Sequence, residues 1–257
     1  MDGARAQIPT NLRLLAVLEE VARAGGAVTP TEVNARLDLP KATIHRLFAT
    51  LATEGFLERD LDGRAYGPGP RLRGLAWGVL SAEGLRTARR AVLERLSREI
   101  GETCNIALPE GDAMVYLDRV ETEWPLRIQL PPGTRVPLYC TASGKMFLTS
   151  LSAAQLERYA GSASLERRTP ATITDAASLV AEVAEARALG RALDREEFMA
   201  GMFAVAAPVM HHGRLVGTLS VHAPVQRFDA DRAEGCLPAI GGAARALSAL
   251  MMPGEEG

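Results

Sequence analysis

Two short helical patterns separated by a forced break constrain this chain more than any other feature: residues 27–59 read AVTPTEVNARLDLPKATIHRLFATLATEGFLER. Thr29, Pro30, Thr31 and Glu32 form a start signal. The threonine oxygen can cap, proline suits the first helical position, and the glutamate can reach back to close a capping box. Val33 and Leu37, four apart, make the buried stripe. Asp38, Leu39 and Pro40 then break the helix, because the residue before proline is pushed out of the α region and Pro40 can only begin a new helix. The second pattern, residues 40–54, sets Ile44, Leu47, Phe48 and Leu51 on one face. Ala42, His45, Arg46, Ala49 and Thr53 lie opposite, with Lys41 and Thr43 flanking the first turn. A front face of donors and small residues is what a helix entering a DNA major groove requires. An ordinary helical hairpin with a solvated face shows the same pattern, so these residues alone leave both readings open.

The flanks extend the unit. Residues 12–22 continue a helical period from a cap at Thr10 or Asn11 to a stop at Gly25 and Gly26. Beyond the second helix Gly55 ends the turn, Phe56 and Leu57 start a strand, and Asp62-Gly63 predicts a hairpin turn before Arg64, Ala65 and Tyr66 return. This is a wing, and Arg59 and Arg64 sit where a wing meets phosphates. Gly67, Pro68, Gly69 and Pro70 punctuate the chain, placing a boundary after them. Residues 71–81 then predict a helix whose Leu72, Leu75, Ala76, Trp77 and Leu80 are too apolar for a free linker. It packs on its own domain or, the favoured reading, on a second subunit, since one winged unit buries too little surface to hold DNA tightly.

At 257 residues the chain is long enough for two domains. With 47% apolar and 23% charged residues, and no apolar run near the ~18 residues that cross a bilayer, a soluble protein without a membrane partner is expected. Residues 1–7 are polar and unlike a signal peptide, which makes the cytoplasm the default location. Cys104, Cys140 and Cys236 are odd in number and too scattered for a metal site or a disulfide framework. A formal charge of −2 excludes a globally basic nucleic-acid coat, yet leaves room for a reader whose positive patch covers one face.

Leu85, Ala88, Val92, Leu96 and Ile100 predict a long amphipathic helix closed by Gly101, after which the period switches from 3.6 to 2. Strands are expected at 103–108, 113–120 and 126–130, with a further segment at 136–139. Thr141, Ala142, Ser143 and Gly144 lead into a helix over 145–149. Ser152 with Gln155 caps another over 153–160, and Thr174-Asp175 a third over 176–189. Strands follow at 192–194, 202–210 and, after a His212-Gly213 turn, 215–223, before Asp229 opens a final helix to Met251 and residues 253–257 trail as a tail. Hairpin-joined strands with helices at both ends give an antiparallel α+β domain.

LDLPKATIHRLFATLATEGFLERD, YGPGPRLRGLA, CTASGKMFL, TPATITD and LDREEFMAGMFAVAAPV, in this order and at these distances, make the chain similar to the IclR family of bacterial transcriptional regulators over nearly its whole length. The resemblance implies an α+β protein. An N-terminal winged helix-turn-helix (1–70) is joined by a dimerising linker helix (71–83) to a C-terminal GAF-like α/β sensor domain with an antiparallel sheet (84–252). It implies a homodimer or tetramer (a dimer of dimers) that binds double-stranded operator DNA and a small organic acid effector, either as repressor or as activator. Lys41, Thr43, His45 and Arg46, with Arg59 and Arg64 of the wing, are the expected DNA contacts.

From the residues alone, Ala142-Ser143-Gly144 opens a helix whose N–H groups can hold a carboxylate. Asp194 ends a strand, and Ser220 and His222 share one face of another, which could equally look outward or bond a neighbouring strand. By resemblance, Ala142 with Ser143, Asp194, and Ser220 with His222 match positions that hold small keto acids in relatives, and Met202 and Ala204 complete the expected effector site. Ala204 stands where many relatives carry cysteine or serine, and His222 where keto-acid binders carry a second serine. These departures predict a larger organic or aromatic acid, with space beside Ala204 and a titratable donor at His222.

Rival readings remain. An enzyme could be assembled from Ser143, Ser220, His211, His212, His222 and Asp194. The chain shows no G-x-S-x-G elbow, H-E-x-x-H, P-loop or strand-following G-x-G-x-x-G, so no enzyme and no cofactor are expected. A metal site from His211, His212 and His222 lacks Cys or acidic partners at ligand spacing, and His211 and His212 should point to opposite faces of a strand, so none is expected. A small-molecule sensor acting without DNA is the remaining alternative.

Overall fold

The computed structural model describes residues 8–60, 63–125 and 129–251 and divides into two compact units, Met1–Ala82 and Glu83–Gly257. In the first unit, α1 (Arg13–Ala24), α2 (Pro30–Leu37) and α3 (Lys41–Thr53) surround a core of Val17, Val21, Val33, Leu39, Ile44, Phe48, Leu51, Leu57 and Tyr66. The start of α2 is the expected capping box: Glu32 N donates to Thr29 Oγ1, and Thr29 N to Glu32 Oε2 at 2.7 Å. No side chain caps α1. A 3-10 turn, Thr10–Leu12, runs straight into it, and Arg13 Nε instead donates to Ile8 O.

The break between α2 and α3 is held by more than its proline. Asp38 adopts a left-handed φ of 50° and its N–H returns to Asn34 O. The Asn34 side chain brackets Leu39, donating to its carbonyl at 2.8 Å and accepting from its N–H at 3.0 Å. That clamp orients α3 relative to α2, and the buried Ile44, Phe48 and Leu51 hold the α3 face opposite them outward.

β1 (Leu57–Arg59) and β2 (Tyr66–Pro68) pair antiparallel as the wing, and Val28 bridges to Tyr66 from the other side. Gly63 takes φ +68° in the connecting turn, while Asp62, expected there, lies outside the described residues. α4 (Pro70–Leu80) is tied to the winged unit by Arg71, which donates to Glu54 and lies 4.4 Å over the Phe56 ring. None of its residues is buried, and Leu75 and Val79 are each 61% exposed.

The second unit is one six-stranded antiparallel sheet in the order β5-β4-β3-β8-β7-β6. Its strands are β3 (Thr103–Glu110), β4 (Ala113–Val120), β5 (Arg135–Pro137), β6 (Ala192–Arg195), β7 (Met202–His211) and β8 (Arg214–Pro224). Of the strand expected at 126–130, Leu126, Arg127 and Ile128 lie outside the described residues, as does the tail, and residues 129–130 are not in a strand. α5 (Glu83–Ile100) and α9 (Ala230–Met251) pack on each other and on the sheet. α6 (Ala142–Leu148) packs against β6, β7 and β8, with α7 (Ala153–Ser162) and α8 (Ala176–Leu189) beyond it.

The buried face of α5 differs from the expected stripe. Leu85, Ala88 and Val92 are half-buried, and Arg89, Leu93, Leu96 and Ile100 go inward. An arginine can occupy that face because Asp118 on β4 meets it: Arg89 Nε and Nη2 each lie 2.7 Å from Asp118 Oδ2. Periodicity counts arginine as polar and cannot see a partner 29 residues away.

Candidate functional site

Two constellations carry the chemistry, one in each unit. On α3, Lys41, His45 and Arg46 are exposed and Thr43 is half-buried, all on or beside the face turned away from the core. The first turn holds no acidic residue, so the positive end of the helix dipole and Lys41 act in the same sense toward a phosphate. Arg59 and Arg64 are exposed on the wing. Arg59 is held rather than loose, donating to Gly63 O at 3.2 Å with its guanidinium 5.2 Å from the Tyr66 ring centre.

In the second unit, Ala142, Ser143, Asp194, Met202, Ala204, Ser220 and His222 come from α6, β6, β7 and β8, and all line a single cavity. Tyr116, Thr141 and Phe198 complete its wall. The short helix α6 is pinned by Gly144, where a Cβ would sit 2.3 Å from Leu138 Cα. Thr141 Oγ1 takes the Gly144 N–H and the Thr141 carbonyl takes that of Lys145. The N–H groups of Ala142 and Ser143 are the donors of that first turn that remain for a ligand.

Ser220 and His222 face inward, 3% and 4% exposed, so neither looks out to solvent, while Ser220 does bond the neighbouring strand β3 through Asn105. Ser143 Oγ donates to Ser220 Oγ at 3.1 Å, and Asn105 Nδ2 donates to the same oxygen at 2.8 Å. Asp194 Oδ1 accepts the Glu197 and Phe198 N–H groups, and Oδ2 is buried without a hydrogen-bond partner. Burial first, and then the Glu197 carboxylate, push the Asp194 carboxyl up to about 7, against the two backbone donors and Lys145.

Lys145, fully buried, reaches Glu182 at 2.8 Å and Glu197 at 2.5 Å. Burial raises Glu197, whereas Lys145 and Arg195 outweigh burial at Glu182 and hold it below the ordinary glutamate value. Thr169 and Thr172 accompany this cluster, donating to the Glu196 and Glu197 carbonyls. The segment carrying Phe198 is thus fixed from both sides.

Two expectations need correction. His222 is not a titratable donor near neutrality: burial first, then the adjacent Arg119, take it down to about 3. Its Nε2 lies 3.2 Å from Arg119 Nη1. Nor is there open room beside Ala204. The free space there is about 10 Å³, room for about one water, with Tyr116, Phe198, Met202 and His222 among the side chains that line it. A larger groove of about 730 Å³, lined by Glu94, Ser97, Arg98, Trp124 and neighbouring residues, contains none of the expected site residues.

His211 and His212 do not diverge. Their rings meet with centres 4.0 Å apart at the β7–β8 turn, where His212 takes φ 46°. His222 lies toward the other end of β8, paired with Thr103 and Ala204. Among the described residues no group of three or more His, Cys, Asp or Glu is placed to hold a metal.

Asn105, Tyr116, Arg119, Lys145 and Glu197 went unread in the sequence. For Asn105 and Arg119 the available signal was polar residues inside expected strands, Thr103 with Asn105 at alternate positions and Asp118 directly before Arg119.

Residues 12–61 match the family described as the IclR helix-turn-helix domain, and residues 77–249 the one described as bacterial transcriptional regulator IclR C-terminal. The chain is 41% identical over 228 residues to the probable transcriptional regulator SauR of Cupriavidus necator, covering 88% of this chain and 90% of that protein. It is 36% identical to the HTH-type transcriptional regulator BhcR of Paracoccus denitrificans, covering 95% and 88%. The crystal structure of the Thermotoga maritima IclR aligns with a TM-score of 0.63 at 27% identity, over 94% of this chain and 98% of that one.

Proposed function

This chain belongs to the IclR family of bacterial transcriptional regulators, and we propose how its parts divide the work. It is a transcriptional regulator with a helix-turn-helix DNA-binding domain and a C-terminal effector-binding domain. Lys41, Thr43, His45 and Arg46 of α3 read the operator, and Arg59 and Arg64 of the wing contact phosphates on either side. The effector is a small organic acid, its carboxylate on the Ala142 and Ser143 N–H groups and Ser220, its remaining polar atoms on Asp194 and His222. Met202 and Ala204 form the apolar wall.

One observation carries the sensor reading: seven residues drawn from four separated segments of sequence line one buried cavity, and its Asp194 carboxylate keeps one oxygen without a protein partner. Buried polar atoms are normally satisfied, so an orphan in a polar cavity fits a place for a ligand group. Because the space is about 10 Å³ and an organic acid needs far more, binding must move part of the wall. The Phe198 side chain is the candidate, since it lines the cavity while its backbone stays tied to Asp194. Ligand contact and wall position are thereby linked, which is what a regulator needs to convert binding into a change of DNA affinity.

The regulator acts in the cytoplasm as a homodimer or a dimer of dimers, with the exposed Leu75 and Val79 of α4 as part of the dimer contact. The winged domain comprises residues 1–70, the linker helix 71–83 and the effector domain 84–252. It performs no catalysis of its own. The test is selection of DNA fragments from a random pool at low salt, followed by thermal-shift and DNA-binding titrations with a panel of organic acids. Failure to enrich any sequence would overturn the DNA assignment. Enrichment without any acid that both raises the thermal midpoint and alters DNA affinity would overturn the effector assignment.

A further inference from the structure

Arg119 does not line the cavity, yet it decides what the cavity offers. Its side chain is 2% exposed and ends against His222, Nη1 to Nε2 at 3.2 Å. A guanidinium has only N–H donors and keeps its proton at every pH a folded protein meets. In that contact Nε2 must therefore be the acceptor, and the single proton of a neutral imidazole must sit on Nδ1.

We propose that Arg119 is a positioning residue of the effector site: by occupying Nε2 it fixes His222 as the neutral Nδ1–H tautomer, so that an effector meets a neutral donor in a set orientation and never an imidazolium. The proposal rests on reading this cavity as the effector site.

The groups around His222 support a locked state. From β4 come Arg119 and Tyr116, the latter raised to about 12 chiefly by burial and therefore neutral. From β6 comes Asp194, and from the turn after it Phe198, with Glu197 next to Phe198 in sequence holding its Oε1 on Lys145. α6 contributes Ala142 and Ser143, β7 Met202 and Ala204, and β3 places Thr103 across from His222, none of them charged. Glu121 Oε1 lies 3.3 Å from Arg119 Nε and holds the guanidinium through a different nitrogen from the one that meets the imidazole. Protonating His222 would put a second buried cation in contact with Arg119, which both burial and Coulomb repulsion oppose.

The consequence is chemical selectivity. A serine hydroxyl at this place could turn to donate or to accept, whereas the Arg119–His222 pair presents a donor only. It admits a carboxylate or carbonyl oxygen and leaves an amine or amide N–H without an acceptor there, a mismatch that is costly in a buried site.

The test needs no ligand. The full-length chain, labelled with 13C and 15N at its four histidines, is followed by imidazole NMR between about pH 5 and 8, with His222 assigned by comparison with His222→Asn. The expected result is one non-titrating ring with Nδ1 protonated and Nε2 bare. In Arg119→Met the Nε2–H tautomer should gain population, and Arg119→Lys, which can still donate, should hold more of the Nδ1–H form than Arg119→Met.

A wild-type His222 that is protonated on Nε2, or that titrates with an ordinary histidine midpoint, overturns the proposal, as does an equal tautomer ratio in the two variants. Should Arg119→Met fail to fold, the wild-type tautomer still decides. Because the tautomer is read without an acid present, failure here is separable from failure of the effector assignment, which would show as no acid binding while the tautomer is as described.

Discussion

Replacing Asp194 by asparagine should stabilise the protein at alkaline pH and do nothing at acid pH, a direction opposite to the usual loss of a buried polar contact. Asp194 is 1% exposed, its Oδ1 accepts two backbone N–H groups, and its Oδ2 is buried without a donor. Burial and the Glu197 carboxylate lift it from 3.8 to about 7. The folded state thus holds the proton more tightly than the unfolded chain. The favourable contribution is complete below about pH 4, where both states are protonated, and is lost as pH rises through about 7.

At about 1.4 kcal/mol per pH unit, the ceiling on that loss is about 4 kcal/mol. Asparagine keeps the Oδ1 acceptor and carries no charge to bury. Urea unfolding of wild type and Asp194→Asn, compared at pH 4.5 and pH 8, isolates this residue, since every other titrating group is common to both. The variant should gain on wild type by about 2–4 kcal/mol between the two conditions. A difference between the proteins that is the same at both pH values would refute the reasoning, and with it the claim that Asp194 is held protonated by its surroundings.

Arg46→Ala should weaken selected-operator binding by about 1–3 kcal/mol if the side chain reaches a base edge, read by fluorescence anisotropy, and unchanged binding would count against the placement of α3. Arg89→Ala strands the buried Asp118 carboxylate, although Arg86 remains 3.6 Å away. It should cost about 3–5 kcal/mol in denaturant unfolding, with a double Arg89→Met, Asp118→Leu change costing less. Gly144→Ala drives a Cβ to 2.3 Å from the Leu138 backbone and should lower the thermal midpoint of the sensor unit by several degrees. Val79→Asp, on the exposed face of α4, should shift the assembly toward monomer in sedimentation analysis while leaving the far-UV spectrum unchanged.

Local chemistry explains what was legible beforehand. The Thr29–Glu32 and Ser152–Gln155 capping boxes, the Asp175 cap and the left-handed Gly190 stop are written in three or four consecutive residues, and each lies where expected. The period-2 run over β7 and β8 and its turn at His212-Gly213 were equally local. The α1 cap failed because a 3-10 turn satisfies the first donors without any side chain. The α5 face was legible in part: Leu96 and Ile100 are buried as expected, but Arg89 also turns inward because Asp118 on β4 meets it.

The sequence determined the winged helix-turn-helix and most of the strands and helices, though not the strand expected at 126–130, and by resemblance it named the seven residues that line the cavity. Caps, breaks and apolar periods act over a few residues, and the motifs carry the rest by resemblance. Only the tertiary structure decided how those seven behave. Antiparallel pairing of β3 with β4 and β8 brings Asn105 and Arg119 up to Ser220 and His222 from more than 100 residues away. The burial that follows raises Asp194, silences His222 as a base and closes the cavity to about 10 Å³. Protonation and volume depend on every group packed around a site, and no stretch of sequence contains them.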